Sequence, residues 1–139
     1  MTRWIVDASV AAKWFFPEEH SRNALRLLSD RHELFAPDLL WAELGNVLWK
    51  RVQRREISEN EAEGVLEDFL QLPIQFIPSG GLLSLAMEAA LAAKRTLYDS
   101  LYIALAMRYH CQLVSADERF IHALSKFPLV QHLIFIGDV

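Results

Sequence analysis

Cysteine is almost missing from this chain. Cys111 stands alone among 139 residues, which excludes an internal disulfide and any metal site built from several cysteines. That lone thiol reads as an apolar filler behind a long helix. Long apolar runs are missing too: Leu101–Met107 falls far short of the ~20 residues that a membrane-spanning helix needs. There is no surplus of basic charge. Lys and Arg number 14 against 18 Asp and Glu, for a net charge of −4, which argues against a nucleic-acid coat protein. A nucleic-acid enzyme with segregated charge stays open. Near the N-terminus Arg3 gives way to Asp7 without a signal-peptide pattern. With so little cysteine, the composition suits the cytoplasm, and no membrane partner is expected. No repeat, low-complexity tract or linker divides residues 1–139, so the chain reads as one domain.

What is present is a sizeable core, since hydrophobic residues make up 53% of the chain. Its pattern alternates short apolar strands with helices. Arg3–Asp7 reads as a strand and Ala8–Phe16 as a helix stopped by Pro17. A second helix is expected over Glu18–Asp30, then a strand over Glu33–Ala36. Pro37-Asp38 opens a long helix to about Arg55, with its apolar stripe at Leu40, Leu44, Val47 and Leu48. Ser58-Glu59-Asn60-Glu61 is a capping box for a helix ending before Pro73. A strand follows at Ile74–Ile77, a turn at Pro78–Gly81 and a helix over Leu82–Lys94. The Asp99 helix, apolar all round and therefore expected to be buried, precedes a strand at Gln112–Ser115. A helix over Asp117–Lys126 and a strand over Leu133–Ile136 complete the chain. Apolar strands alternating with helices predict an α/β fold, a three-layer α/β/α domain around a central, mostly parallel sheet.

In such sheets, sites form beyond the carboxyl ends of the strands, where four acids are expected. Asp7 ends the first strand, and Asp117 follows Leu113-Val-Ser-Ala116. Asp99 opens the apolar helix, and Glu43 borders the apolar stripe of the long helix. Taken singly, each aspartate is an ordinary helix cap or first-turn acid. Glu43 alone is equally an ion-pair partner of Lys13 or Lys50. Taken together they form a different object. Two carboxylates ~4 Å apart repel by about 4 kcal/mol at an effective dielectric near 20. A converging set of four needs a cation, and an all-oxygen set suits Mg²⁺ or Mn²⁺. No Ser-His-Asp order, P-loop or histidine-rich zinc pattern competes, and the five histidines are scattered.

Four segments carry a family resemblance: Ile5-Val-Asp7-Ala-Ser9, Pro37-Asp-Leu-Leu-Trp-Ala-Glu43-Leu44, Tyr98-Asp99-Ser-Leu-Tyr-Ile-Ala104 and Ser115-Ala-Asp117-Glu-Arg-Phe120. In this order they resemble the signatures of the PIN domain, most of all those of the VapC toxins of type II toxin–antitoxin systems. The resemblance implies a PIN-like fold and an endoribonuclease. Its catalytic and metal-binding acids would be Asp7, Glu43, Asp99 and Asp117 around Mg²⁺, with Mn²⁺ able to substitute. It also implies a homodimer neutralised by a VapB-like antitoxin. Ser9 and Ser115 fall at the family's small hydroxyl positions, suited to orienting a carboxylate or to plain local caps. Lys13 and Arg119 are expected to contact RNA. The basic run Lys50, Arg51, Arg54 and Arg55 fits either a phosphate contact or a solvated helix end, and Lys94 with Arg95 form a second basic run.

Two other readings compete. A haloacid-dehalogenase-like phosphatase would want an aspartate where Ser9 stands, and a receiver-like phosphoacceptor would want paired acids and a late lysine. A catalytically degenerate PIN-like module binding only RNA or protein would be missing an acid, and all four are present. Finally, Trp14, Phe15, Phe16, Trp41 and Trp49 are more aromatic surface than one small domain readily buries, and aromatics are enriched at interfaces. They are the expected place of the dimer and of an antitoxin groove.

Overall fold

Ile5 and Val6 are neighbours on one strand, so their side chains point to opposite faces of the sheet. Neither has any solvent exposure. The same holds for Leu113 and Val114, so the sheet is covered on both faces, as all-parallel sheets are. The computed structural model, which describes residues 1–139, has five strands: β1 (Thr2–Val6), β2 (His32–Pro37), β3 (Ile74–Ile77), β4 (Gln112–Ser115) and β5 (Leu133–Phe135). All pair in parallel, in the order β3-β2-β1-β4-β5. The chain builds outward from β1 through β2 to β3, then crosses back to place β4 on the other side of β1. The topological switch point therefore lies between β1 and β4.

Seven helices supply the outer layers: α1 (Ala8–Phe15), α2 (Ser21–Arg26), α3 (Leu39–Gln53), α4 (Glu59–Leu70), α5 (Leu83–Ala93), α6 (Leu97–Arg108) and α7 (Glu118–Ala123). The centre of the molecule is α6. Every residue from Ser100 to Ala106 is buried, and the helix packs across β1, β2 and β4 with α5 against its outer side. Such a segment has no amphipathic face because it has no solvent face. On α3 the expected stripe is real: Leu40, Leu44 and Leu48 are fully buried. Ser58 caps α4 by accepting the Glu61 amide at 3.0 Å.

Several sequence expectations change in extent. The helix expected over Glu18–Asp30 is only Ser21–Arg26. The Lys13 ammonium takes the Glu19 carbonyl at 2.6 Å, and His20 adopts a left-handed backbone, so residues 17–20 stay in a turn. The helix expected over Asp117–Lys126 is Glu118–Ala123 with Asp117 as its cap. The turn at Pro78–Gly81 tightens into a 3-10 segment, Ser79–Leu82. Asp38 does not cap α3. Its Oδ1 instead accepts the Ser79 amide at 3.2 Å and the Ser79 hydroxyl at 2.5 Å, which ties the start of α3 to the end of β3. Cys111 is only half-buried, and burial still pushes its thiol pKa up. No helix is long and apolar enough to cross a membrane.

Candidate active site

The register of β1 on β4 pairs Val6 with Val114. One step further along both strands, Asp7 arrives beside Ser115. That step explains a dense polar cluster around Asp7. Ser115 Oγ donates to Asp7 Oδ2 at 2.6 Å, and Ser9 Oγ donates to Asp7 Oδ1 at 2.6 Å. The Val10 amide adds a bond to Oδ1 at 3.2 Å, which makes Asp7 the cap of α1 as well. Both hydroxyls also accept: Ser9 from the Ala116 amide at 2.9 Å, Ser115 from the Asp117 amide at 3.1 Å. Each serine has one proton, and both are spent on Asp7. The Ser9–Ser115 oxygen separation of 3.4 Å is then a close approach without a shared proton.

The other three acids reach the same place from separate elements. Glu43 comes from α3, Asp99 from the first turn of α6 and Asp117 from the cap of α7. With Asp7, Ala8, Ser9, Tyr102 and Phe120 they line one cavity of about 130 Å³ at the switch point. Thr96, not Asp99, caps α6, through the Asp99 amide at 3.2 Å. Asp7 and Asp117 do cap helices, so the ordinary reading of these two is true and leaves them facing the cavity.

Electrostatics follow from this crowding. Burial is the main force raising the Asp7 pKa, and the charge of Asp117 adds to it; the two serine hydroxyls and the Val10 amide pull the other way. Burial likewise raises Glu43, with Asp7 and Asp99 contributing, against a hydrogen bond from Tyr102. The Tyr102 hydroxyl donates to Glu43 Oε1, and burial with the neighbouring acids holds it firmly in the phenol form. Glu43 therefore pairs with neither Lys13 nor Lys50. Lys13, nearly buried, bonds the Glu19 carbonyl and lies 3.4 Å from Glu18 Oε1. Asp99 makes the cluster's single ion pair, with Arg95 at 2.8 Å.

A divalent cation suits this donor set. Four carboxylates share one small cavity, and the pKa values of Asp7 and Glu43 are raised, first by burial and then by the neighbouring acids, so a bound cation would relieve the cost of their charges. The cavity supplies oxygen only, as Mg²⁺ or Mn²⁺ prefers. No three of these side chains are already drawn together as a closed ligand cage. Mg²⁺ ordinarily keeps several waters and takes few protein ligands.

The two expected RNA contacts lie next door. Lys13 and Arg119 line a second cavity of about 380 Å³ with Glu19, His20, Ala116, Glu118 and Phe135, and Asp117 belongs to both cavities. Arg51 is committed elsewhere, to Glu18 at 2.6 Å and over the Phe16 ring. Sequence reasoning passed over Tyr102, although it stands three residues after Asp99, and residues three apart share a helix face. It also met Arg95 only as part of a basic pair.

A parallel α/β/α domain with an acidic centre at its switch point is the class these features define. The model of the PIN domain matches residues 4–124, and the chain belongs to that family. It is 34% identical over 126 residues to Ribonuclease VapC3 of Pyrobaculum aerophilum, covering 89% of this chain and 94% of the relative. In fold it is similar to PAE2754 of Pyrobaculum aerophilum, with a TM-score of 0.73 at 19% identity over 99% of this chain and 85% of the other. It is also similar to a chain of VapBC2 from Rickettsia felis, solved with a promoter DNA fragment. There the TM-score is 0.66 at 13% identity, over 96% and 98% of the two chains.

Proposed function

We propose that the protein is a metal-dependent endoribonuclease and the toxin of a VapBC-type pair, with Asp7, Glu43, Asp99 and Asp117 as its catalytic and metal-binding acids. The observation that carries this reading is the cavity at the switch point that all four acids line. Mg²⁺ or Mn²⁺ bound there would polarise a phosphoryl oxygen and lower the pKa of an attacking water. The chain's own groups do the rest. Ser9 and Ser115 fix both Asp7 oxygens, so this carboxylate is aimed before any ligand arrives. Tyr102 orients Glu43 and keeps its proton, so Glu43 stays a pure acceptor. Water attacking in line with the 3′-oxygen leaves a 5′-phosphate and a 3′-hydroxyl. No histidine lines the cavity to run the alternative route through the RNA 2′-hydroxyl. The RNA strand would continue over the neighbouring cavity, where Arg119 meets its phosphates, while Lys13 is already committed to Glu18 and the Glu19 carbonyl.

The partners follow from surface chemistry. Trp14, Phe15 and Phe16 pack against the core, and Trp14 donates to the Ala24 carbonyl at 2.8 Å. Trp41 and Trp49 of α3 stay exposed. Trp49 borders a groove between α3 and α4 lined by Leu48, Val52, Ala62 and Leu66, suited to an antitoxin segment. A basic side chain of that antitoxin reaching Glu43 would occupy the acids and stop cleavage. Leu83, Met87 and Leu91, spaced four apart on α5, are exposed and form the stripe on which a second copy would pack, giving the homodimer.

The test is cleavage of total RNA with Mg²⁺ or Mn²⁺ and mapping of the ends, alongside light scattering. Asp7→Asn and Asp99→Asn should each cost at least ~10²-fold in rate while the fold survives. Unchanged activity in both variants, or 2′,3′-cyclic phosphate as the first product, would overturn the mechanism. A strict monomer at tens of micromolar would remove the dimer.

A further inference from the structure

Among the four acids only Asp99 has a cation beside it, and that cation is unusually placed. Lys94 ends α5 in a left-handed conformation, with φ at 56°. Arg95 follows it, four residues before Asp99 and next to the Thr96 cap of α6. One guanidinium nitrogen, Nη2, meets Asp99 Oδ2 at 2.8 Å. The guanidinium carbon stands 5.2 Å from the centre of the Phe120 ring, and Phe120 and Asp99 both line the acid cavity. Yet Arg95 Nε is buried with no hydrogen-bond partner. A guanidinium offers five donors in a fork made for two-point pairing with a carboxylate. Here it pairs through one nitrogen and leaves a buried donor unsatisfied, which is costly. The contact is poor as a structural clamp and well suited to being given up.

We propose that Arg95 is a resident counter-cation for the acid cluster. It holds Asp99 while no divalent ion is bound and competes with that ion for the same oxygen, so that it sets the metal affinity of the site. This rests on the metal-binding reading above. Arg95 is thus a positioning residue acting through Asp99.

The sign of the effect separates this role from a merely structural one. Removing a structural brace from Asp99 would loosen metal binding, whereas removing a competitor tightens it. The experiment compares wild type with Arg95→Met, which keeps an apolar stem over Phe120, and Arg95→Lys, which keeps the charge. Mn²⁺ binding is measured by calorimetry at low salt, and melting with and without saturating Mn²⁺. For one unit charge beside a partly exposed site, Arg95→Met should bind Mn²⁺ about five- to tenfold more tightly. Arg95→Lys should stay within about twofold of wild type, because the charge is retained. Metal-free Arg95→Met should melt below wild type, and Mn²⁺ should raise its melting temperature by more. Unchanged or weaker Mn²⁺ binding in Arg95→Met, with wild type binding normally, overturns the proposal and leaves the metal site standing. Failure of wild type to bind Mn²⁺ at all overturns both.

Discussion

Deleting one oxygen, Ser115 Oγ, tests the centre of the site. The side chain is fully buried, so Ser115→Ala changes no surface and leaves a hole no larger than a hydroxyl. Two bonds disappear, the donation to Asp7 Oδ2 at 2.6 Å and the acceptance from the Asp117 amide at 3.1 Å. A hydrogen bond to a charged acceptor contributes about 1.5–3 kcal/mol, and a stranded buried amide costs about 1–3 kcal/mol more where water cannot reach it. The cavity admits water near Asp117, so the lower end of the second range applies. The expected loss for the metal-free protein is about 2–4 kcal/mol, or roughly 6–15 °C in melting temperature for a domain of this length. The partition is read by a double-mutant cycle with Asp7→Ala. Asp7→Ala also removes the cap of α1, but that loss cancels in the cycle. The Ser115–Asp7 coupling should be about 1.5–3 kcal/mol while Asp7 is ionised and about 0.5–1.5 kcal/mol once acid has neutralised it. Urea melts of the four proteins across a pH series give both numbers. A coupling under about 0.5 kcal/mol at every pH would mean that the serine does not hold the carboxylate.

Two further outcomes follow from the same charges. Asp7 and Glu43 both have pKa values raised in the folded chain, so folding favours their protonated forms. The stability they confer is complete below the unfolded carboxyl value near 4 and is lost as pH rises through the folded values. The metal-free protein should therefore weaken from mild acid towards neutral pH, and Asp7→Asn should flatten that decline; an unchanged slope in urea melts would refute the assignment. Tyr102→Phe removes the donor that favours ionised Glu43. It should raise the Glu43 pKa further and move the acid limb of the rate profile upward, with little loss of activity on the alkaline side. A uniform fall in rate at every pH would show that Tyr102 serves packing alone.

How much of this was legible in the sequence depends on what each residue's position rests on. Asp7 and Asp117 could be placed because strand ends in a parallel sheet share a rim, and the alternation of short apolar strands with helices already implied that sheet. Glu43 could be placed because helical spacing put it at the edge of a stripe that is in fact buried. The partners of these acids were not legible to the same degree. Ser115 reaches Asp7 only because β4 crosses back to lie beside β1, a pairing between residues 108 positions apart, and strand order is not written in local periodicity. Tyr102 looked like one more apolar member of a buried helix, although its hydroxyl crosses to α3. Arg95 looked like half of a basic pair, although its spacing of four residues from Asp99 was the signal that could have found the contact. Local pattern thus located the charges, and two of the groups that hold them, Ser9 and Arg95, are also local, two and four residues from their acids. The other two, Ser115 and Tyr102, are supplied across elements. That division has a physical cause. Like charges at one rim cost free energy wherever the fold gathers them, and a buried carboxylate such as Asp7 needs a donor on each oxygen, the second of which only the tertiary structure delivers. At this site the neighbours are two serine hydroxyls, one phenol and one guanidinium, and the guanidinium is the one held loosely enough to be displaced.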